Sequence, residues 1–153
     1  MVLVIKTKFI GFVGYSNARF DKDKANLMIK EIFDSIDYKF NNINIVIVSG
    51  ATSIDGIPKL VYDEAKLRNH KLMGIMAWPG CECELYDVDD LIIKGANWGD
   101  ESDLFINTID MLYRIGGGKQ SFEEVKKASK KGIPIFEYDL IQYVDMRKEK
   151  ATH

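Results

Sequence analysis

Met111-Leu112-Tyr113-Arg114-Ile115 runs straight into Gly116-Gly117-Gly118, and Lys119-Gln120-Ser121 then leads into an amphipathic segment that ends near Gly132. The order is apolar strand, glycine turn, helix start, with Ser121 read as the residue that opens the helix. Such a junction points backbone N–H groups and the positive end of a helix dipole at a small anion. Glycine suits it because a Cβ would obstruct both a positive-φ turn and the approach of a phosphate to the main chain.

The same alternation extends in both directions. Phe9 to Gly14 reads as a first strand. Asp21 is placed to cap a helix whose apolar residues Ala25, Met28, Ile29, Ile32, Phe33, Ile36 and Phe40 recur at helical spacing. Ile43 to Val48 is a nearly unbroken β-branched run, as expected of a parallel strand buried on both faces. A helix starting at Asp55, a strand from Leu72 to Trp78 closed by Pro79-Gly80, and a short strand at Leu91-Ile92-Ile93 come next. Gly99-Asp100-Glu101-Ser102 then starts a third helix. After the strand at Met111 to Ile115, a helix from Ser121 to Lys131 and a strand from Ile133 to Tyr138 complete the series. Strands separated by helical segments imply right-handed crossovers and a sheet covered on both faces. The expected fold is therefore a three-layer, Rossmann-like α/β domain over residues 1–140, with a mainly parallel sheet of about six strands. Residues 141–153 form a tail that packs on it or frays, ending in the charged stretch Met146 to His153.

Composition narrows the function classes. A chain of 153 residues with 46% hydrophobic and 29% charged residues is an ordinary globular domain with a substantial core. A net charge of −2 argues against a nucleic-acid-binding face. No apolar run approaches the roughly 20 residues that span a bilayer, so no membrane partner is expected. Met1 to Lys6 lacks the features of a signal peptide, and the expected location is cytoplasmic. Cys81 and Cys83, separated by Glu82, are too close for an ordinary disulfide and lack a second pair for a closed zinc site. They read as loop thiols, and neither a metal nor a resident cofactor is expected.

In an open parallel sheet, ligands bind beyond the carboxyl ends of the strands. Three glycine corners fall at such ends. The first runs from Gly14 through Ser16 to Arg19. The second is Ser49-Gly50-Ala51-Thr52-Ser53-Ile54-Asp55. The third contains Gly116, Gly117, Gly118, Lys119, Gln120 and Ser121. Gly14, Ser16, Arg19, Gly50, Ala51, Thr52, Gly117, Gly118, Lys119, Gln120 and Ser121 are the candidate phosphate- and nucleotide-binding residues. Asp55 can cap the second helix or reach a sugar hydroxyl, and Ser121 can cap the last helix or touch a phosphate. Trp78 and Trp98 can wall a base-stacking pocket or fill the core.

The order of these corners resembles the SLOG superfamily of Rossmann-like proteins, which includes the Lonely-guy phosphoribohydrolases (long described as lysine decarboxylases), molybdenum-cofactor carrier proteins and the DNA-processing protein A family. The resemblance covers roughly Phe9 to Leu140. Asp110 to Glu124 looks like the superfamily's Asp, apolar strand, Pro-Gly-Gly-x-Gly-Thr-x-x-Glu segment. Gly117 and Gly118 fall on its paired glycines, Ser121 on its Thr and Glu124 on its Glu. Gly132-Ile133-Pro134-Ile135 looks like the entry to its following strand. Gly116 stands where the family has Pro, and Gln120 where it has a third Gly. The acidic Trp98-Gly99-Asp100-Glu101-Ser102-Asp103 stands where the phosphoribohydrolases carry an Arg, a bidentate partner for phosphate.

The resemblance implies that Glu124 faces a pocket, where it holds a ribose hydroxyl or assists glycosidic cleavage; Glu123 then points elsewhere. Two functions follow as expectations. One is a carrier or sensor of a nucleotide-like small molecule. The alternative is a nucleoside 5′-monophosphate phosphoribohydrolase in which Glu124 and Asp55 stabilise an oxocarbenium-like transition state. A homodimer is also implied, and Phe33, Phe40 and Phe105 are the aromatic residues expected to be exposed at its contact.

Overall fold

β1 (Thr7–Gly14), β2 (Asn44–Ser49), β3 (Lys71–Met76), β4 (Asp90–Ile93), β5 (Met111–Ile115) and β6 (Ile135–Tyr138) form one sheet in the order β4-β3-β2-β1-β5-β6. The computed structural model describes residues 6–17, 19–52 and 55–143; the stretch Met146 to His153, and Ser53 and Ile54 of the second corner, lie outside them. Every strand pair is parallel. The central strands β2 and β5 are buried along most of their length and β1 over Ile10 to Val13, which explains their apolar character.

Helices α1 (Lys22–Lys39) and α2 (Ile57–Leu67) cover one face, and α3 (Ser102–Thr108) and α4 (Lys119–Lys131) cover the other. On the first face Phe33, Phe12, Tyr113 and Phe136 make a continuous aromatic stack, with ring centroids 5.5, 5.1 and 5.0 Å apart. Asp21 caps α1 as its position predicts, accepting from the Lys24 amide at 3.1 Å. Gly132, in the left-handed conformation at φ 78°, closes α4.

Several boundaries and roles differ from expectation. β3 stops at Met76 because Trp78-Pro79 starts a short 3-10 turn, Trp78–Glu82. β6 begins at Ile135, after Pro134, whose carbonyl accepts from the Leu112 amide at 2.9 Å. α4 begins at Lys119, ahead of Ser121, with extended Gly118 as its N-cap residue and no side-chain cap. The α2 cap residue is Gly56, again without a side-chain bond, so Asp55 does not cap that helix. Phe33 and Phe105 are buried in the two cores and Phe40 is half-buried beneath Lys8, so these aromatics do not form an exposed contact surface. Among the described residues, no helix is long and apolar enough to cross a membrane.

Candidate functional site

From β1 the chain steps outward through β2, β3 and β4, then returns to place β5 on the other side of β1. The connections on the two sides of that point leave toward opposite faces of the sheet, and a crevice opens beyond the strand ends. A cleft of about 510 Å³ lies there. Because the strands are parallel, all three glycine corners follow the same edge of the sheet.

The three glycines after β5 have two different tasks. Gly116 (φ 59°) and Gly117 (φ 108°) hold the turn. A Cβ would meet the Tyr15 ring at 2.3 Å from Gly116, and the Ser121 hydroxyl at 2.5 Å from Gly117. Gly118 has an ordinary φ of −101°, and a Cβ there would meet nothing within 4 Å. It borders the cleft. Just beyond it, the amides of Lys119, Gln120 and Ser121 have no intrahelical carbonyl to pair with, and no side chain caps them.

Gly14, Ser16, Gly50, Thr52, Gly118, Lys119, Gln120, Ser121 and Glu124 all line the cleft. Ser121 is buried, and its hydroxyl donates to the Gly14 carbonyl at 3.4 Å, tying the first turn of α4 to the end of β1. Lys119 is almost fully exposed and reaches Glu123 at 3.9 Å; Glu123 is not among the residues that line the cleft. Four candidates are not among the lining residues. Arg19 is exposed, its backbone engaged with Asn17 and Tyr143. Asp55 is exposed and pairs with Lys22 at 3.9 Å. Ala51 is buried beside Gly74 of β3. Gly117 borders a smaller hollow near Arg114 instead.

Other lining residues escaped the sequence reading. Asn17 accepts from Gln142 Nε2 at 2.9 Å, and through Gln142 the chain that follows β6 also lines the cleft. Glu101, at the start of α3, is 8% exposed. Its Oε1 accepts from Gln120 Nε2 at 3.0 Å and its Oε2 from the Gly99 amide at 3.0 Å. Of the acidic stretch, it is Glu101 that reaches the cleft; Asp103 pairs with Lys127 at 3.0 Å, and Asp100 accepts from the Asn97 amide. Trp98 lines the cleft and Trp78 does not.

Glu124 is 7% exposed. Burial, reinforced by the neighbouring Glu101 carboxylate, pushes its carboxyl from its ordinary 4.5 up to about 8; Lys127 and the Gln120 amide oppose the shift. Near neutral pH Glu124 therefore keeps its proton.

No protein-family model matches the chain, and no curated protein matches it in sequence. Solved structures do match in fold. The molybdenum cofactor carrier protein of Chlamydomonas reinhardtii superposes with a TM-score of 0.68 at 21% identity, over 86% of this chain and 76% of the other. A structural-genomics target, TM1055, gives 0.66 at 19% identity, over 84% and 72%. The molybdenum cofactor binding protein of Rippkaea orientalis gives 0.64 at 17% identity, over 99% and 84%. The chain shares the Rossmann-like α/β fold of these proteins.

Proposed function

We propose that this protein binds and carries a phosphate-bearing, nucleotide-like small molecule in the cleft between β1 and β5. The observation that carries the reading is the start of α4. There, uncapped amides at Lys119, Gln120 and Ser121 follow a glycine whose Cβ position is empty, in a cleft that Ser16, Gly50 and Thr52 also line. Helix N-termini of this kind favour phosphate through oriented donors and dipole together. The cleft volume falls in the range of roughly 300–1,000 Å³ typical of small-molecule sites. Two of the solved structures of this fold belong to proteins that carry or bind the molybdenum cofactor, which supports a carrier over a hydrolase. Lys119 is the one cationic side chain among the described residues lining the cleft, so the guanidinium of the phosphoribohydrolases has no counterpart there. A cytoplasmic homodimer completes the proposal; exposed Leu91 and Ile92 on the edge strand β4 supply apolar contact for it.

The test is a thermal-shift screen of the wild type and Gly118→Val against ribose 5-phosphate, nucleoside mono- and diphosphates and the molybdenum cofactor. A ligand at 100 times its Kd stabilises the native state by about 2.7 kcal/mol. We expect such a shift for the wild type and its loss in Gly118→Val, whose side chain enters open cleft rather than packed protein. Equal shifts in both proteins, or none with any phosphate ligand, overturn the reading.

A further inference from the structure

The two edges of the sheet are finished differently. β6 is entered through Pro134 and carries Glu137, which Arg114 holds at 3.0 Å. A proline and a charge of this kind blunt an edge against pairing with another strand. β4 has neither within its apolar run. Leu91, Ile92 and Ile93 follow one another without a charge, Leu91 and Ile92 are exposed, and β3 is the strand's one partner among the described residues.

The bonded side of β4 fixes its free side. The Lys94 amide donates to the Met76 carbonyl at 2.8 Å, and Gly74 and Met76 stand opposite Leu91 and Ile93. Backbone direction alternates along a strand. Ile92 and Lys94 therefore turn their amides toward β3, while Leu91 and Ile93 turn their amides and carbonyls away from the sheet. An open row of donors and acceptors on an apolar strand is a template for a further strand.

The residues around this row complement themselves in one antiparallel register, with a two-fold axis through Ile92. Leu91 then faces the partner's Ile93 as a hydrogen-bonded pair that exchanges both N–H···O bonds, and the two Ile92 side chains meet on the axis. Asp90 faces the partner's Lys94, and Lys94 the partner's Asp90. Directly opposite side chains share a face, where β-branched pairs and opposite charges attract. Among the described residues neither Asp90 nor Lys94 has an ion-pair partner in its own chain. Moving the axis to Leu91 or to Ile93 would set Ile92 against the partner's Asp90 or Lys94, so the charges select the register.

We propose that a second copy of this chain pairs along β4, antiparallel about Ile92, and joins the two sheets into one. The proposal rests on the homodimer reading above and assigns that dimer its interface. The partner's strands run the opposite way, so the two clefts open at opposite margins of the joined sheet.

The experiment is sedimentation equilibrium of the wild type, of Lys94→Asp, and of the double exchange Asp90→Lys with Lys94→Asp. Both positions are exposed, so neither exchange enters the core. Lys94→Asp sets like charges opposite each other at both ends of the pairing and should weaken the dimer about tenfold or more. The double exchange restores opposite charges and should return the Kd to within about threefold of wild type. A cross-link tests the register directly. With Cys81→Ser and Cys83→Ser removing the native thiols, Ile92→Cys should form an intermolecular disulfide under oxidised glutathione, because opposite residues on the axis have Cα atoms about 4.5 Å apart. Leu91→Cys, whose two copies are staggered along the strands, should cross-link at least about tenfold more slowly. A dimer that keeps its affinity in Lys94→Asp, that the double exchange does not restore, or that does not cross-link through Ile92→Cys overturns the β4 interface and leaves the homodimer reading to another surface. A wild type that is monomeric at micromolar concentration overturns both.

Discussion

Arg114 and Glu124 flank the same glycine turn, one a buried base and one a buried acid, and their circumstances contrast. Arg114, 3% exposed, has all three nitrogens of its fork engaged. Its Nε and Nη2 donate to Glu137 at 3.2 and 3.0 Å, Nη2 also to Asp139 at 2.7 Å, and Nη1 to the Gly116 carbonyl at 2.9 Å. Its guanidinium lies over the Phe122 ring, 4.5 Å from the centroid. Glu124 has a like charge beside it and open cleft in front of it. A buried charge whose every nitrogen is bonded locally stabilises the turn. A buried acid left facing a cavity costs stability when it ionises, and such groups concentrate where ligands bind.

The largest effect expected from this contrast is at Arg114. Arg114→Met keeps the apolar stem and removes the fork, leaving the Gly116 carbonyl without its partner. Breaking a buried pair costs about 3–5 kcal/mol. Asp139 is almost fully exposed and Glu137 nearly half so, and both can return to water, so about 2–3 kcal/mol is expected. Urea denaturation measures it. A loss below about 1 kcal/mol would mean that Arg114 does not hold the turn and that the contrast with Glu124 is empty.

Glu124→Gln should act in the opposite direction, with a pH signature. In the folded state this carboxyl titrates near 8, against 4.5 ordinarily. Below about 4.5 the acid is protonated whether the chain is folded or not, and it contributes no pH dependence. Between about 4.5 and 8 the folded state holds a proton that the unfolded state has lost, so wild-type stability falls as pH rises. Above about 8 the full penalty is present. The variant lacks this titration, so its melting temperature should gain on the wild type from pH 5 to 8 and then hold a constant lead. Parallel melting curves across that range would show that Glu124 is solvated or partnered, and would remove the basis for its role in the cleft.

The fold was largely legible because its signals are local. β2 reads as a buried parallel strand from Ile45-Val46-Ile47-Val48 alone, and α1 declares both its cap at Asp21 and its buried face at Ala25, Ile29, Ile32, Phe33 and Ile36. The glycine turn was legible in kind, although nothing local distinguishes Gly116 and Gly117, which need positive φ, from Gly118, which does not. The carboxyl pair was not legible. Glu101 looks like one more acid in a solvated run, and its burial depends on Gln120, 19 positions further on, crossing to meet it. Arg114 was hidden for the same reason, since its partners arrive with and just after β6, 23 and 25 positions later. Asp21 and Asp55 show the limit in the other direction. Both were placed to cap a helix by position, and only Asp21 does.

That pair supplies the smallest and most discriminating prediction. The Asp21 carboxylate accepts from the Lys24 amide at 3.1 Å, whereas Asp55 has only a 3.9 Å contact with Lys22, both side chains being about half exposed or more. Removing a cap costs about 1 kcal/mol, and an exposed ion pair contributes between about 0 and 1 kcal/mol that salt screens further. Asp21→Ala should therefore lower stability by about 1 kcal/mol, unchanged by added salt. Asp55→Ala should lower it by less than about 0.5 kcal/mol, and that difference should vanish in high salt. Asp55→Ala should also leave nucleotide affinity within about twofold of wild type, because the side chain leans toward Lys22 and not into the cleft. A tenfold loss of affinity would return Asp55 to the ligand site, through a movement of the second corner that brings its carboxylate over the end of β2.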